Sequence, residues 1–461
     1  MKKILFAASA AGLFAATSAF AQTAEIGTWA GFRKGATSFT FDDGPQNNVD
    51  KCLPMFKTYG YNATFNIVVN WANQPSQGMI GWSDVQKLAD AGHEIASHSN
   101  SHGQNMSGEE ASSKKAINDK IKQQYGVITV AYPNCNVPDV NALKQNYIAG
   151  RICGNGQEVM SKDGPGDWFK VPAYMTGSTG QYNNTNAFTG AMQQAVNKGG
   201  WVMFLTHGFT TGANGWADYS PTDANAIEGA LKWAQQNDKD IWVAPMGYVA
   251  MYIKERNASK IEAQDGGAAG SMTFKLTHNI KDNISNYDYP LSIRVKYSGS
   301  TANVTQAGAK LESKIDGGYV YFDAVPNAGD IVIAGEGGST PESSSSVGKQ
   351  SSSSTVASSS SRPGRSSSST VVRSSASFGF SSSSTEALPA EQASLFHVAV
   401  YRSSDNYIVV TGAQGMAITV TNSLGQVVRT TRGLGILQKV YTGAKGMYLV
   451  KVGGKTFKVS L

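Results

Sequence analysis

The sequence predicts a large α/β domain with a largely parallel sheet, followed by smaller all-β parts. Three observations support this prediction. Strand-like and amphipathic helical patterns alternate through the first half of the chain, which is typical of βαβ units. After about residue 262 the apolar residues recur at period two, which indicates β-strands. Residues 337–388 are dominated by serine, which indicates a flexible linker.

In the α/β part, strand-like segments alternate with helical ones. The strands are predicted at 36–41, 63–69, 94–97, 129–132, 201–206 and 241–244. The helices are predicted at 49–59, 83–91, 108–125, 190–198 and 223–237. This number of units favours a barrel, closed or incomplete, over a small open sheet. In such barrels the catalytic groups lie at the carboxyl ends of the strands.

The N-terminus has the pattern of a secretory signal peptide. Two lysines precede an apolar run at residues 4–20, and Ala19-Phe20-Ala21 is a small-x-small cleavage pattern, so we expect residues 1–21 to be removed. The run is too short and too alanine-rich to span a membrane well, and no later run is long and uncharged. We therefore expect a secreted or cell-surface protein without a transmembrane segment after cleavage.

The other domain boundaries follow from the changes of pattern. We predict the α/β domain at 22–258, a small β module at 262–336, the linker at 337–388 and a C-terminal β domain at 389–461. A serine-rich segment cannot bury enough apolar surface to offset its chain entropy. Strands are predicted at 272–277, 291–297, 319–322 and 330–333 in the module, and at 407–410, 417–421, 426–430, 447–452 and 456–461 in the last domain.

The charge of the chain bears on nucleic-acid binding, and its three cysteines bear on disulfide formation. The net charge of +6 is small for 461 residues and the basic residues are scattered, so nothing supports nucleic-acid binding. Export permits a disulfide. Cys135 and Cys153 are the expected pair, because both fall in strand-like stretches of one domain. Cys52 is then interpreted as a buried apolar residue.

Three short motifs contain side chains suited to catalysis. TFDDGP puts Asp42 and Asp43 directly after a predicted strand. LTHG puts His207 after another strand, and HSNSH places His98 and His102 four residues apart. One helical turn after the strand would point both imidazoles to one side. Two imidazoles and one carboxylate form a three-ligand set for a zinc-like ion, with positions left for water or substrate. Alone, each motif is more often structural, as a turn or a packed histidine.

The three motifs together resemble those of the polysaccharide deacetylases with a NodB-homology domain, carbohydrate esterase family four. The resemblance covers roughly residues 33–250 and implies a distorted (β/α) barrel. It implies that Asp43, His98 and His102 hold a divalent metal, zinc in the first place, with cobalt or nickel as alternatives. It also implies that Asp42 is the general base and His207 the general acid.

The resemblance explains why two aspartates stand side by side. With Asp43 held charged by the metal, Asp42 could lie close by and take a proton from the metal-associated water. The ion would also polarise the acetyl carbonyl and stabilise the tetrahedral oxyanion. His207 would protonate the leaving amine or sugar hydroxyl.

Weaker matches imply further site residues. Asp167 would orient and charge His207. Trp168 would line the acetyl pocket, although ordinary core packing is the alternative. Leu205 would belong to the apolar pocket for the acetyl methyl group.

The third motif departs from the family pattern, which is often Arg-x-Pro-Tyr. Here Pro133 matches the proline, and Asn134 stands where the tyrosine usually is. The backbone N–H of Asn134 could still serve in the oxyanion hole. The arginine is absent. Arg151 could replace it, but we favour an exposed arginine at that position. This departure affects the substrate assignment more than catalysis.

The two β parts are less informative. The patterns at 420–428 and 446–452 resemble the C-terminal sorting domains of type IX secretion, which are β-sandwiches, and this implies the secretion machinery as a partner. A generic β module, with carbohydrate binding as one role open to it, is the alternative. In the 262–336 module, aromatic residues could form a sugar platform, although sheet core is the commoner role: Tyr287, Tyr289, Tyr297, Tyr319, Tyr321 and Phe322.

These observations lead to one hypothesis and one rival. The hypothesis is a secreted metal-dependent hydrolase that removes acetyl groups from acetyl xylan, chitin or chito-oligosaccharides, or peptidoglycan. Ester and amide acetyl groups both stay open. The rival is a catalytically weak or inactive protein for carbohydrate binding or surface adhesion on the same scaffold, and the missing arginine is its only support.

Overall fold

The computed structural model describes residues 23–154, 159–212, 219–265 and 270–335, together with short stretches near the C-terminus. Those stretches are 399–402, 407–411, 413, 416–432, 437–442, 446–452 and 454–460. The predicted signal peptide and the predicted linker therefore lie outside the described residues. Within the described residues, no helix combines the length and the apolar character that crossing a membrane requires.

Strand β1 (Ala24–Ile26) is followed by the eight strands that organise the α/β part. They are β2 (Gly35–Phe41), β3 (Thr64–Ile67), β4 (Glu94–Ser97), β5 (Thr129–Ala131), β6 (Ala149–Arg151), β7 (Tyr174–Met175), β8 (Trp201–Thr206) and β9 (Ile241–Val243). The sheet order is β6-β5-β4-β3-β2-β8-β7, and β9 pairs with the first residues of β2. Every pair is parallel. The segment before β7 also makes a parallel bridge from Val171 to Arg151, so the sheet curls back on itself.

This sheet confirms the predicted α/β class with parallel strands. All six strands predicted from the sequence are present, with ends that differ by at most two residues. Strands β6 and β7 are not among the strands predicted from the sequence. They have three and two residues, which is too short for a period-two pattern to show.

The two faces of β2 have different neighbours. On the outer face, Phe39 packs against Phe56 of the first helix, with ring centroids 5.8 Å apart. On the inner face, the Trp201 indole N–H donates to Ser38 Oγ at 3.1 Å. Side chains alternate along a strand, so Asp42, four residues after Ser38, continues the inner face at the carboxyl end of the barrel.

Among the described residues, eight α-helices connect and cover these strands. They are α1 (Leu53–Tyr59), α2 (Val69–Asn73), α3 (Trp82–Asp90), α4 (Glu110–Lys120), α5 (Val140–Asn146), α6 (Thr185–Lys198), α7 (Ala224–Gln236) and α8 (Met246–Ala258). Helix α4 ends five residues before the predicted end at residue 125. In the segment that follows the helix, the Gln123 side-chain amide accepts from the N–H of Ile95 in β4 and donates to the C=O of the same residue. Helix α6 begins five residues before the predicted start at residue 190, because the Asn184 side chain caps its first turn.

Helix α8 is absent from the predicted helices. Almost every residue of α8 from Met246 to Glu255 is buried, so it has no polar stripe that would give an amphipathic pattern. The Met246 N–H donates to Thr64 Oγ1 and the Gly247 N–H donates to the Glu94 carboxylate, each at 2.8 Å. Thr64 and Glu94 are the first residues of β3 and β4. Helix α8 therefore covers the amino ends of the strands, opposite their carboxyl ends.

The next region consists of two antiparallel sheets. Its strands are β10 (Ser259–Gln264), β11 (Ser271–His278), β12 (Leu291–Lys296), β13 (Asn303–Gln306), β14 (Ala309–Lys310), β15 (Ser313–Asp316), β16 (Tyr319–Ala324) and β17 (Ile331–Ala334). The orders are β1-β12-β16-β15 and β10-β11-β17-β13-β14. Strand β1, predicted to lie in the α/β domain, is thus an edge strand of this module. Leu291 and Phe274 share one apolar core with Met251 of α8, while the exact domain boundaries stay predictions.

The C-terminal region is also all β, as predicted. Its strands are β18 (Ala399–Arg402), β19 (Tyr407–Thr411), β20 (Ala417–Asn422), β21 (Val427–Arg432), β22 (Leu437–Tyr441), β23 (Met447–Val452) and β24 (Lys455–Ser460). They form two antiparallel sheets with the orders β18-β19-β22 and β21-β20-β23-β24. Val410 and Val440 of the first sheet and Val420 and Val450 of the second belong to one apolar cluster. The predicted sandwich and its role in sorting stay predictions.

Candidate active site

The candidate catalytic side chains follow three strands of the parallel sheet. Asp42 and Asp43 follow β2, His98 follows β4 and His207 follows β8. Strand β2 pairs with β8 along six residues, and the Asp42 N–H donates to Thr206 O at 2.9 Å. The carboxyl ends of parallel strands meet at one edge of a sheet, and the fold brings these four side chains together there.

Asp43, His98 and His102 converge on one point. The Nε2 atoms of His98 and His102 each lie 3.4 Å from Asp43 Oδ1, and one ligand atom of each residue lies within 4.8 Å of the others. Asp43 Oδ1 is buried and has no hydrogen-bond partner among the described residues. A cation between the three atoms would satisfy this oxygen. Two imidazole nitrogens and a carboxylate oxygen are ligands that zinc accepts, so the residues fit a divalent metal.

The backbone reaches this arrangement through left-handed residues. Asp43, Ser99 and His102 have φ of 70°, 71° and 52°. Residues 98–102 are not helical, so the helical turn predicted after β4 is wrong. Instead, Ser99 Oγ accepts from the His102 N–H at 2.9 Å, and the Glu109 carboxylate accepts from the N–H groups of residues 100 and 101. Side-chain acceptors thus hold the loop in a conformation that non-glycine residues rarely adopt.

Hydrogen bonding fixes the orientation of His98. Its Nδ1 lies 2.9 Å from Ala131 O. A carbonyl oxygen only accepts, so Nδ1 donates and Nε2 is left to face Asp43. Burial acts to lower the pKa of His98, but the two aspartates outweigh it and raise this pKa. The more open His102 stacks on Trp71, with centroids 4.9 Å apart, and burial together with the charge of His98 lowers the pKa of His102.

Asp42 lies beside the metal cluster and has other partners. Its Oδ2 lies 2.5 Å from Arg151 Nη2, and its Oδ1 accepts from Asn66 Nδ2 at 2.8 Å. Burial acts to raise the pKa of Asp42. The Arg151 guanidinium, then the nearby histidines and Asn66, outweigh burial and lower the pKa to about 2. Asp42 is therefore an oriented, ionised carboxylate next to the candidate ligands.

The position of Arg151 corrects one expectation. The sequence favoured an exposed arginine, but Arg151 is 1% exposed and pairs with Asp42. Arg151 is the last residue of β6 and pairs in register with Ala131 of β5, two residues before Pro133 of the third motif. An arginine from the neighbouring strand thus contacts Asp42, although the third motif itself has none.

The third motif forms a short irregular turn after β5. Pro133 is buried, whereas Asn134 is exposed with φ of 52°, and its amide donates to Gly103 O at 2.8 Å. Its role in an oxyanion hole stays a prediction. The predicted disulfide between Cys135 and Cys153 is confirmed, with Cα atoms 5.2 Å apart. Cys52 is a free, buried cysteine, as interpreted from the sequence.

His207 faces the cluster from the side of β8. Its Nε2 lies 4.0 Å from Asp43 Oδ2, and its Nδ1 is buried without a hydrogen-bond partner in the described part of the chain. The expected pairing with Asp167 is therefore wrong. Asp167 is 51% exposed, and its carboxylate accepts from the N–H of Phe169 in its own loop. A carboxylate that is half exposed to solvent and hydrogen-bonded within its own loop cannot orient His207.

Trp168 and Leu205 differ in outcome. The Trp168 ring lies 4.4 Å from the Lys254 ammonium, and Lys254 belongs to α8, which covers the amino ends of the strands. The expected place of Trp168 in the acetyl pocket is therefore wrong, because its loop packs against that helix. Leu205 is fully buried and pairs in register with Thr40, two residues before Asp42. Its contact with an acetyl methyl group stays a prediction.

Sequence reasoning missed three side chains of the site. Asn66 is the only amide side chain in β3 and donates to Asp42. Trp71 of α2 stacks on His102, and Tyr219 packs edge-on against His207 with centroids 5.0 Å apart. An amide within a short strand of otherwise uncharged, β-prone residues is a signal that could have identified Asn66. Nothing in the local pattern distinguishes Trp71 or Tyr219 from other surface aromatic residues.

The stretch from residue 31 to residue 138 contains the Asp43, His98 and His102 cluster and the neighbouring Asp42. It matches the model of one protein family. That family is the polysaccharide deacetylases. The polysaccharide deacetylase match ends before Arg151 and His207, which the fold brings to the same site.

Known proteins and structures show further likenesses. Gellan lyase of a Bacillus species is 25% identical over 344 residues, which is 67% of this chain and 13% of that protein. This chain thus spans about an eighth of the length of that relative. The Xyl-CE4 domain of a multidomain xylanase from the hindgut metagenome of Trinervitermes trinervoides is 17% identical, with a TM-score of 0.32, over 47% of this chain and 89% of that chain. A family 4 acetyl xylan esterase from Clostridium thermocellum in complex with a cobalt ion is 16% identical, with a TM-score of 0.31, over 46% and 89%.

Proposed function

We propose that this chain is a metal-dependent hydrolase that removes acetyl groups from a polysaccharide. The main observation in support is the Asp43, His98 and His102 cluster with Asp42 beside it, paired to Arg151 and outside the ligand set. The polysaccharide deacetylase match at residues 31–138 supports the substrate class. Acetyl xylan, chitin or chito-oligosaccharides, and peptidoglycan are the candidate substrates.

The residues divide the work of acetyl hydrolysis. A divalent cation, zinc in the first place with cobalt or nickel as alternatives, would polarise the acetyl carbonyl and acidify the attacking water when held by the cluster. Asp42 takes the proton of that water. Arg151 and Asn66 each bond one oxygen of the Asp42 carboxylate, and a carboxylate oxygen accepts more than one bond, so the group is oriented but still able to accept.

His207 supplies the proton for the leaving group. It lies across Asp43 from the other two histidines, with its Nε2 4.0 Å from Asp43 Oδ2. The Asn48 amide donates to the backbone oxygen of His207 at 2.7 Å and fixes its loop. From Nε2 a proton can pass to the amine of an N-acetyl sugar or to the hydroxyl of an O-acetyl sugar. Tyr219 beside His207 and Trp71 beside His102 offer aromatic faces for sugar rings.

The proposed setting is extracellular. The signal-peptide pattern at 1–21, the serine-rich stretch at 337–388 and the sorting-like pattern near the C-terminus support export, with the secretion machinery as a partner. Mass spectrometry of protein from the culture medium should find an N-terminus at Gln22. Recovery only from the cytosol with Met1 retained would contradict this setting.

Acetate release tests the activity. Wild-type protein and the Asp42→Asn variant are incubated with acetylated xylan, N-acetylchitohexaose and peptidoglycan, with and without a chelator. We expect the wild type to release acetate from at least one substrate, chelation and Asp42→Asn to stop release, and zinc or cobalt to restore the chelated wild type. Release that resists both changes would refute the assigned site. No release from any substrate after metal is restored would favour the inactive carbohydrate-binding protein.

A further inference from the structure

A cleft of about 300 Å3 opens at the end of the barrel opposite the candidate active site. Its lining residues come before the strands: Arg33 precedes β2, Tyr61 and Asn62 precede β3, and Tyr125 precedes β5. The candidate metal ligands instead follow β2 and β4. Strand β2 has seven residues, so the two places are on the order of 20 Å apart. The cleft is therefore distinct from the candidate active site.

One wall of the cleft is aromatic. Tyr125 lies 5.3 Å from Tyr248 of α8 and 6.0 Å from Tyr289 of the β module, measured between ring centroids, and the last two lie 5.8 Å apart. Trp242 lies 6.2 Å from Tyr289. Burial raises the pKa of all three tyrosines, so their hydroxyls stay neutral. This cluster offers planar apolar surface together with neutral hydroxyl groups.

The cleft also contains one cation and one anion with free bonding capacity. Arg33 Nε and Nη1 donate to the carbonyl oxygens of Asp238 and Ala30, which leaves Nη2 without a partner in the described ranges. Asp323 Oδ1 accepts from Ser292 Oγ at 2.5 Å. Among the described residues, no ion pair joins Arg33 to Asp323, although both line the cleft. A ligand group that both donates and accepts could therefore bond to each of them.

This combination selects the chemistry of the ligand. The opposite charges of Arg33 and Asp323 disfavour a ligand with a strong net charge, and a purely apolar ligand would leave both groups unsatisfied. A neutral sugar ring presents C–H faces to aromatic rings and hydroxyls that donate and accept. The volume is at the small end of ligand sites, which suits one or two rings.

We propose that this cleft is a second carbohydrate-binding site, which takes a neutral pentose or hexose unit of a polysaccharide. That this polysaccharide is also the substrate of the enzyme rests on the proposed function, whereas the binding of a sugar unit in the cleft does not. The cleft holds polymer on the enzyme and takes no part in the chemistry.

Binding to the full-length, chelated protein tests this proposal. Xylohexaose and cellohexaose, which have no acetyl groups, are titrated in a calorimeter. Wild-type protein binds at least one of them. Tyr248→Ala removes part of the aromatic wall and lowers the affinity about tenfold. Ala30→Trp fills the cleft while the carbonyl that Arg33 contacts is kept, and it lowers the affinity at least as much.

A matched control and a second readout separate the outcomes. Tyr59→Ala, on α1, leaves the affinity unchanged, since Tyr59 is not among the residues that line the cleft and its hydroxyl donates to Glu228. The cleft variants lose acetate release from insoluble polymer but keep it on short acetylated oligomers. Wild-type protein that binds neither sugar, or a folded Ala30→Trp variant that binds like wild type, overturns the proposal. Should Ala30→Trp not fold, unchanged binding by Tyr248→Ala overturns it. Cleft-dependent binding without acetate release from any substrate supports the second site while the proposed function fails.

Discussion

Replacing Arg151 by methionine removes the cation that faces Asp42 inside the barrel. The two side chains are 1% and 4% exposed, and their charged atoms lie 2.5 Å apart. Methionine keeps much of the volume of the arginine stem, so the change mainly removes the charge. The Asp42 carboxylate then stays buried with only the Asn66 amide bonded to it.

The expected loss of stability follows from the pKa of Asp42. Lowering this pKa from 3.8 to about 2 corresponds to about 2 kcal/mol of folding stability at neutral pH. This contribution is present above pH 3.8 and is lost as pH falls towards 2. Arg151 is the main cause that lowers the pKa, and its loss also leaves a buried charge unpaired. We expect Arg151→Met to destabilise the protein by about 3–5 kcal/mol at pH 7.

Urea unfolding of chelated protein measures this effect in a double-mutant cycle. Arg151→Met, Asp42→Asn and the double variant are compared at pH 7. The loss of stability in the double variant should be smaller, by at least about 2 kcal/mol, than the summed losses of the two single variants. The reason is that the neutral amide at position 42 leaves no buried charge unpaired when the guanidinium is removed. As a control, Arg294→Met breaks the exposed pair with Glu25 and should cost no more than about 1 kcal/mol. Additivity within about 0.5 kcal/mol would refute the inferred coupling.

Three further predictions concern other parts of the molecule. Burial lowers the pKa of His93 from 6.5 to about 3. As pH drops below 6.5, His93 therefore takes up a proton in the unfolded state before it does so in the folded state, and the folding stability falls. Wild type should lose about 2 kcal/mol more than His93→Asn between pH 8 and pH 5, and parallel unfolding curves would contradict this. Gly247→Ala places a methyl group 2.3 Å from a Glu94 oxygen and should lower stability by about 2 kcal/mol in urea. Gly190→Ala, with open space around it, should raise stability, and equal effects would be inconsistent with the packing. Tyr219→Ala removes a 55% exposed ring beside His207, and should raise KM for the polymer about tenfold with little change in kcat; an unchanged KM would exclude Tyr219 from substrate binding.

Much of the fold can be predicted because its strands are buried and regularly spaced. Strand β2 has no charged residue and is fully buried in the structure, so its uncharged sequence indicates a strand inside a parallel sheet. Helix α8 has no such signal, because it is buried on nearly all sides and its position depends on contacts with Thr64 and Glu94 from distant strands.

The residues of the candidate site likewise fall into two groups: those that short motifs identify and those that only the sheet order brings to the site. Asp43, His98 and His102 are found from short motifs, since local spacing and strand ends bring them together. Arg151 and Asn66 come from other strands, and only the sheet order shows that they contact Asp42. The misassigned Asp167 has a local sequence match, but its side chain is 51% exposed and its carboxylate accepts from an N–H of its own loop.

A zinc titration of chelated protein tests the central claim most directly. Wild type and Asp42→Asn should each bind one zinc ion in the calorimeter with similar affinity, whereas His98→Ala should lose at least about a hundredfold in affinity, because it lacks one of three ligands. No binding by wild type, or an equal loss in Asp42→Asn and His98→Ala, would contradict the assignment of one aspartate to the metal and the other to the proton.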